Sequence, residues 1–138
     1  MQTTAGVEYP LPWEAEGELY GGFFRAMKEK KLYARKCCSC AAWQWPPRPF
    51  CRECQSTEFK WEEVPDHGTV YTYTVMYRAF SEYYTDKLPC GVVVVDVGPV
   101  RLPGRFLGHA EDIECGITVK AEFDEQALTG SSLAWVAR

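Results

Sequence analysis

The sequence predicts a mainly β protein with an N-terminal helix, built as a rubredoxin-like zinc ribbon followed by a five-stranded OB-fold barrel. Two observations predict it. Cysteines 37, 40, 51 and 54 form two C-x2-C pairs separated by ten residues. After residue 60 the chain turns to short β-branched and aromatic runs, about five of them, punctuated by turn residues, which is the strand number of a small closed barrel.

The elements follow in order. Residues 1–12 are polar, end in Pro10-Leu11-Pro12, and read as an extended arm. Residues 13–32 carry a helical stripe of Leu19, Phe23, Met27 and Leu32, widened by Tyr20 and Phe24. Gly21 and Gly22 weaken it by about 1 kcal/mol each, so two short helices or one starting near Gly22 are both allowed. The stripe either packs on the rest of the protein or offers Phe23, Phe24 and Met27 to a ligand or partner. Residues 33–60 contain the cysteine pairs and almost no periodic pattern, and residues 61–138 are assigned to the barrel.

Within the barrel segment, residues 69–77 alternate strictly. Val70, Thr72, Thr74 and Met76 are expected on one face and Tyr71, Tyr73, Val75 and Tyr77 on the other. Residues 91–96 form a valine run suited to a strand buried on both sides. Further strands are expected at 100–108, 117–123 and 132–136, with turn signals such as Asp66-His67-Gly68 and Gly98-Pro99 between them. The 78–89 loop is long for a hairpin and carries Phe80, Tyr83 and Tyr84 between Arg78 and Lys87, the composition of a functional loop.

Composition narrows the function classes. The chain has 138 residues, 46% hydrophobic, with a formal net charge of −4. A packed core is affordable, and the acidic balance argues against a surface that tracks nucleic-acid phosphates. No apolar run reaches the roughly 18 residues of a membrane span, and the N-terminus lacks the pattern of a secretory signal. A reducing cytoplasm is therefore expected, where seven cysteines read as metal ligands plus free thiols.

Two residues between paired thiols let both sulfurs of a tight turn reach one ion about 2.3 Å away, and two such turns complete a tetrahedron. Cys37, Cys40, Cys51 and Cys54 are thus the expected ligands of a structural zinc, with iron as the metal alternative. Cys38 cannot form the same turn with Cys40. A full shell of four thiolates leaves no position for substrate, so the metal is expected to support folding, not chemistry. Such knuckles favour glycine after the second cysteine, where φ is positive. Ala41 and Gln55 stand there at a cost of order 1 kcal/mol each.

These residues carry a resemblance. The pairs Cys37-x2-Cys40 and Cys51-x2-Cys54, the intervening Trp45-Pro46-Pro47-Arg48-Pro49-Phe50, the Gly68-Thr69-Val70-Tyr71 strand, Pro89-Cys90-Gly91 and Cys115-Gly116-Ile117-Thr118-Val119 resemble the zinc-ribbon/OB-fold family of acyl-CoA-associated proteins. The resemblance covers residues 13–124 and departs from the family's pattern at Cys90 and at the Pro103-Gly104 break. It implies a non-catalytic accessory subunit of a thiolase-type complex, binding or positioning a CoA thioester and stabilising the catalytic subunit, in aromatic or steroid acid degradation. Acyl-CoA hydratases and aldolases are the alternative partners. The residues themselves nominate Phe23, Phe24, Met27, Arg78, Phe80, Tyr83, Tyr84 and Lys87 as the acyl-CoA or partner surface.

No catalytic apparatus is legible. His67 and His109 read as surface histidines, and Cys90 and Cys115 as small buried hydrophobes. No G-x-S-x-G or phosphate-loop motif is present. The isolated chain is expected to have no activity of its own. A nucleic-acid-binding OB module and a stand-alone acyl-CoA carrier are the competing classes.

Overall fold

The computed structural model describes residues 21–79, 82–124 and 132–138. The arm and the first part of the expected helix lie outside them, as does Phe80.

Helix α1 spans Gly21–Lys28. Its apolar stripe does pack inward: Phe23 and Met27 are 6% and 2% exposed, and the Phe23 ring lies 4.2 Å from that of Trp45. Burial at this level removes both from the candidate ligand surface. Gly22 belongs to the same contact. A Cβ there would meet the Trp61 indole at 2.4 Å, so the glycine that weakens the helix is what lets it approach the ribbon.

The helix ends sooner than its sequence stripe suggests. The Lys31 N–H donates to Ala26 O and the Lys30 N–H to Met27 O, both at 2.9 Å, with Lys30 left-handed at φ 61°. This is a Schellman termination with lysine in the glycine position. Leu32, expected as the last turn of the helix, instead opens a strand.

Three antiparallel strands form the ribbon sheet, ordered β2-β1-β3: β1 Leu32–Cys37, β2 Trp43–Gln44 and β3 Phe59–Val64. None has a clean period, and β1 pairs with β3 from Leu32↔Val64 to Cys37↔Phe59. Strand β3 therefore carries the ribbon ladder past residue 60.

The remaining strands close a barrel: β4 His67–Met76, β5 Cys90–Asp96, β6 Arg101–Phe106, β7 Thr118–Asp124 and β8 Ser132–Ala137. Their order around it is β4-β5-β6-β8-β7, with β6 and β8 parallel. All five strands coincide with expected ones. The fold is mainly β, a zinc-ribbon cysteine cluster with one short helix beside a five-stranded OB barrel. One apolar cluster joins Phe23, Met27 and Leu32 to Val93, Val95, Leu102, Val119 and Trp135, so helix, ribbon and barrel share a core.

Three expectations about faces fail. A bulge between Val70 and Thr72 inserts Tyr71 and inverts the alternation of β4. Val70 pairs with the inward-facing Val95, whereas Thr72 and Thr74 pair with Val94 and Val92. The valine run of β5 is not buried on both sides: Val93 and Val95 are fully buried, but Val92 and Val94 only partly. Cys115 is exposed, because it sits in the turn before Gly116 (φ 94°).

Gly104 marks another close approach. A Cβ there would come within 2.8 Å of the Trp135 ring and 2.9 Å of Leu133 O. The Pro103-Gly104 break thus lets the largest core side chain pass beneath β6. Trp135 is completely buried, and its indole N–H has no partner among the described residues.

Candidate metal centre

Two knuckles build the site, and they are near copies. Ala41 N–H donates to Cys37 O at 3.0 Å and Gln55 N–H to Cys51 O at 2.9 Å. Ser39 N–H and Glu53 N–H each lie 3.4 Å from the first sulfur of their pair. Ala41 and Gln55 have φ of 64° and 67°, the left-handed geometry expected of them. In both knuckles the first cysteine is buried and the second exposed.

The four ligand atoms lie within 4.8 Å of one another. Cys37 Sγ is 3.5 Å from Cys54 Sγ, and Cys40 Sγ is 3.6 Å from Cys51 Sγ. A tetrahedron with metal–sulfur bonds of about 2.3 Å has edges of about 3.8 Å, so these separations fit a four-thiolate zinc site. Cys38 is exposed and outside the cluster.

Electrostatics agree with a cation-seeking site. Cys37 is drawn down to about 6, first by the Cys40 N–H and then by the Ser39 N–H and neighbouring thiols, against a burial cost. Cys40 is pushed up to about 12: the Ala42 N–H lowers it, but burial and the Cys51, Cys54 and Cys37 thiols outweigh that. Cys54 also rises, the Ser56 N–H being overcome by Cys37 and burial. One thiolate forms readily and the next ones are resisted by like charge, a conflict that a divalent cation removes. A metal held by all four sulfurs would cross-link the two knuckles.

Two residues that sequence reasoning passed over hold the loop between the cysteine pairs. Gln44 accepts from the Arg48 N–H at 2.9 Å and donates to Phe50 O at 3.1 Å. Arg35, only 8% exposed, donates to Arg48 O at 3.0 Å and stacks on Phe59 with its guanidinium carbon 3.9 Å from the ring centroid. Burial lowers the Arg35 pKa from its ordinary value. The available signal was spacing: Arg35 stands two residues before Cys37 on one strand.

Apart from Phe24 on α1, the other nominated residues lie on the loop between β4 and β5. Arg78 is exposed, Tyr84 half-buried, and Lys87 half-buried with its ammonium 3.1 Å from Asp86. Nothing is described of the Phe24 and Tyr83 side chains. Cys90 is 3% exposed, and burial raises its pKa although Arg105 and Lys87 oppose this, which disfavours the thiolate. His67 is exposed beside Asp66 at 3.2 Å, and His109 is exposed. Among the described residues, no helix is long and apolar enough to cross a membrane.

Comparison with known proteins agrees with this architecture. Residues 24–60 match the family described as ChsH2, rubredoxin-like zinc ribbon domain, and residues 61–124 match ChsH2, C-terminal OB-fold domain. A probable enoyl-CoA hydratase alpha subunit of Thermomonospora curvata is 30% identical over 105 residues, 75% of this chain. The chain spans only 32% of that subunit's length. A DUF35 domain-containing scaffold protein of Methanocaldococcus jannaschii is 28% identical over 104 residues, covering 72% of this chain and 73% of the relative.

Among solved structures, the Ltp2-ChsH2(DUF35) aldolase superposes with a TM-score of 0.77 at 24% identity, over 87% of this chain and 94% of that one. A DUF35 protein of unknown function from Sulfolobus solfataricus gives 0.62 at 18% identity, over 88% and 87%. Both likenesses concern the fold alone. With ribbon and barrel matched in sequence order and the four-cysteine cluster in place, the chain belongs to the ChsH2-type zinc-ribbon/OB-fold family, DUF35.

Proposed function

We propose that this chain is a non-catalytic accessory subunit of a thiolase-type acyl-CoA enzyme complex, holding a CoA thioester in place and stabilising the catalytic subunit. The observation that carries the reading is the fate of the reactive groups. Four thiols converge on one metal-sized tetrahedron, Cys90 is sealed in the core, and both histidines are exposed. What remains is a scaffold without a nucleophile–base pair among the described residues.

The relatives support an accessory role, since one is named a scaffold protein and one solved neighbour is an aldolase complex. Those names, with the hydratase alpha subunit, make hydratases and aldolases the second reading of the catalytic partner. The loop carrying Arg78, Tyr84 and Lys87, with Arg105 acting on Cys90 from β6, offers cations and an aromatic to a CoA moiety.

Native co-purification of the tagged full chain, followed by mass spectrometry, tests the reading. A thiolase, hydratase or aldolase should be recovered in stoichiometric amount. Recovery of the monomer alone contradicts it. A thermal-shift panel of CoA esters, with and without that partner, separates an accessory subunit from a free-standing carrier. Stabilisation by CoA esters without partner would favour the carrier.

A further inference from the structure

Among the described residues, part of one edge of strand β4 has no neighbouring strand. Strand β7 pairs with β4 only at His67, Gly68 and Thr69. Two more bonds finish that side: Val70 N–H to Ile117 O at 3.0 Å and Gly116 N–H to Val70 O at 2.8 Å. The pairing of β4 with β5 continues to Met76. Residues 71–76 therefore have a strand on one side and, among the described residues, none on the other.

Side-chain exposure says the same. Tyr71, Thr72, Tyr73 and Thr74 are all exposed, so both faces of this stretch are wet. The exposed tyrosines are large: Tyr71 50%, Tyr73 41% and Tyr77 74%.

Natural sheets protect such an edge with lysine, proline, an inward charge or a covering loop. Here the edge reads Tyr71-Thr72-Tyr73-Thr74-Val75-Met76-Tyr77, all neutral and mostly strong β-formers. The inserted Tyr71 bulge kinks only its start.

The same stretch is close to a palindrome about Thr74. Antiparallel pairing with an identical strand sets Tyr71 against the copy's Tyr77 and Tyr73 against the copy's Val75. It sets Thr72 against the copy's Met76 and Thr74 against itself. Aromatic–aromatic, aromatic–β-branched and Thr–Thr pairs are the favoured cross-strand neighbours. Charge does not oppose the arrangement. Arg78 lies beyond the paired stretch, and Arg101, stacked 3.6 Å from the Tyr71 ring centroid, is neutralised by Asp96 at 2.7 Å.

We propose that residues 71–77 are a self-association surface: two copies of this chain pair antiparallel through the free edge of β4, with Thr74 on the two-fold axis. The sheet then runs continuously from one barrel to the other. This is a property of the chain itself and stands apart from its role beside an enzyme.

Sedimentation velocity and native mass spectrometry of the metal-loaded full chain test it. The wild type should sediment at twice the chain mass of 15.7 kDa. Thr74→Lys and Thr74→Glu each put two like charges on the axis and should weaken the dimer at least tenfold, while far-UV circular dichroism and metal content stay unchanged. An equimolar mixture of the two variants should restore a dimer containing one chain of each. A wild type that remains monomeric near 1 mM overturns the proposal. So does a dimer indifferent to both charges, which would place the interface elsewhere, and so does a mixture that stays monomeric.

Discussion

Cys37 and Cys38 are neighbours with opposite fates, and the difference is one of direction. Cys37 closes β1 buried, with N–H groups aimed at its sulfur; Cys38 is exposed outside the cluster. Cys51→Ser should abolish stoichiometric metal binding by elemental analysis and lower the melting temperature, since bound metal supplies folding free energy to the ribbon. Cys38→Ser should retain both. Acid should act through the same sulfurs. Folding depresses Cys37 from 9.0 to about 6, so its thiolate contribution is fully present above 9 and is lost as pH falls through about 6. Metal release, followed with a chromogenic chelator, should therefore accelerate below pH 6 and not on the alkaline side. Ala41→Gly and Gln55→Gly should each stabilise the chain by up to about 1 kcal/mol, read as a rise of a few degrees in melting temperature, by relieving left-handed strain.

At the scale of elements, the barrel was more legible than the ribbon sheet. Its strands carry β-branched residues in runs and are separated by glycine, proline and aspartate turns, so the signal is local. Strand β1 is different: Tyr33, Arg35 and Lys36 give it no period, and its partner β3 begins more than twenty residues later, across both knuckles. Pairing at that distance depends on the convergence of the four cysteines and on the shared core, which no sequence window contains. The Tyr71 bulge was likewise invisible, because strict alternation is what a regular strand would show. In sequence Gly22 reads as a weak point of the helix and Gly104 as part of a departure from the family's pattern, yet in the fold they admit the Trp61 and Trp135 rings. Gly104→Ala should cost about 1–3 kcal/mol in chemical denaturation, since Leu133 O is backbone and cannot swing aside. Thr57→Ala, at an exposed loop position, should stay within about 0.5 kcal/mol.

For the whole molecule, one core spans the helix, ribbon and barrel, so the metal does not sit in an isolated appendage. Phe23 packs on Trp45 of the loop between the cysteine pairs, while Met27 and Leu32 join the same core as the barrel valines. Loss of the metal should then loosen the angle between helix and barrel as well as the knuckles. The four-cysteine centre was legible from spacing alone; the partner surface was not, because Phe23 and Met27 look alike in sequence whether they face a core or an enzyme. Under the proposed function the chain is a metal-braced scaffold that holds an acyl-CoA enzyme. Paired native capture with the wild-type, Cys38→Ser and Cys51→Ser chains, with metal and partner quantified in the same eluate, tests it most directly. Wild type and Cys38→Ser should bring down the enzyme with one metal per chain, and Cys51→Ser should lose both together. Capture of the enzyme undiminished by a metal-free Cys51→Ser chain, or capture of none by the wild type, would contradict it.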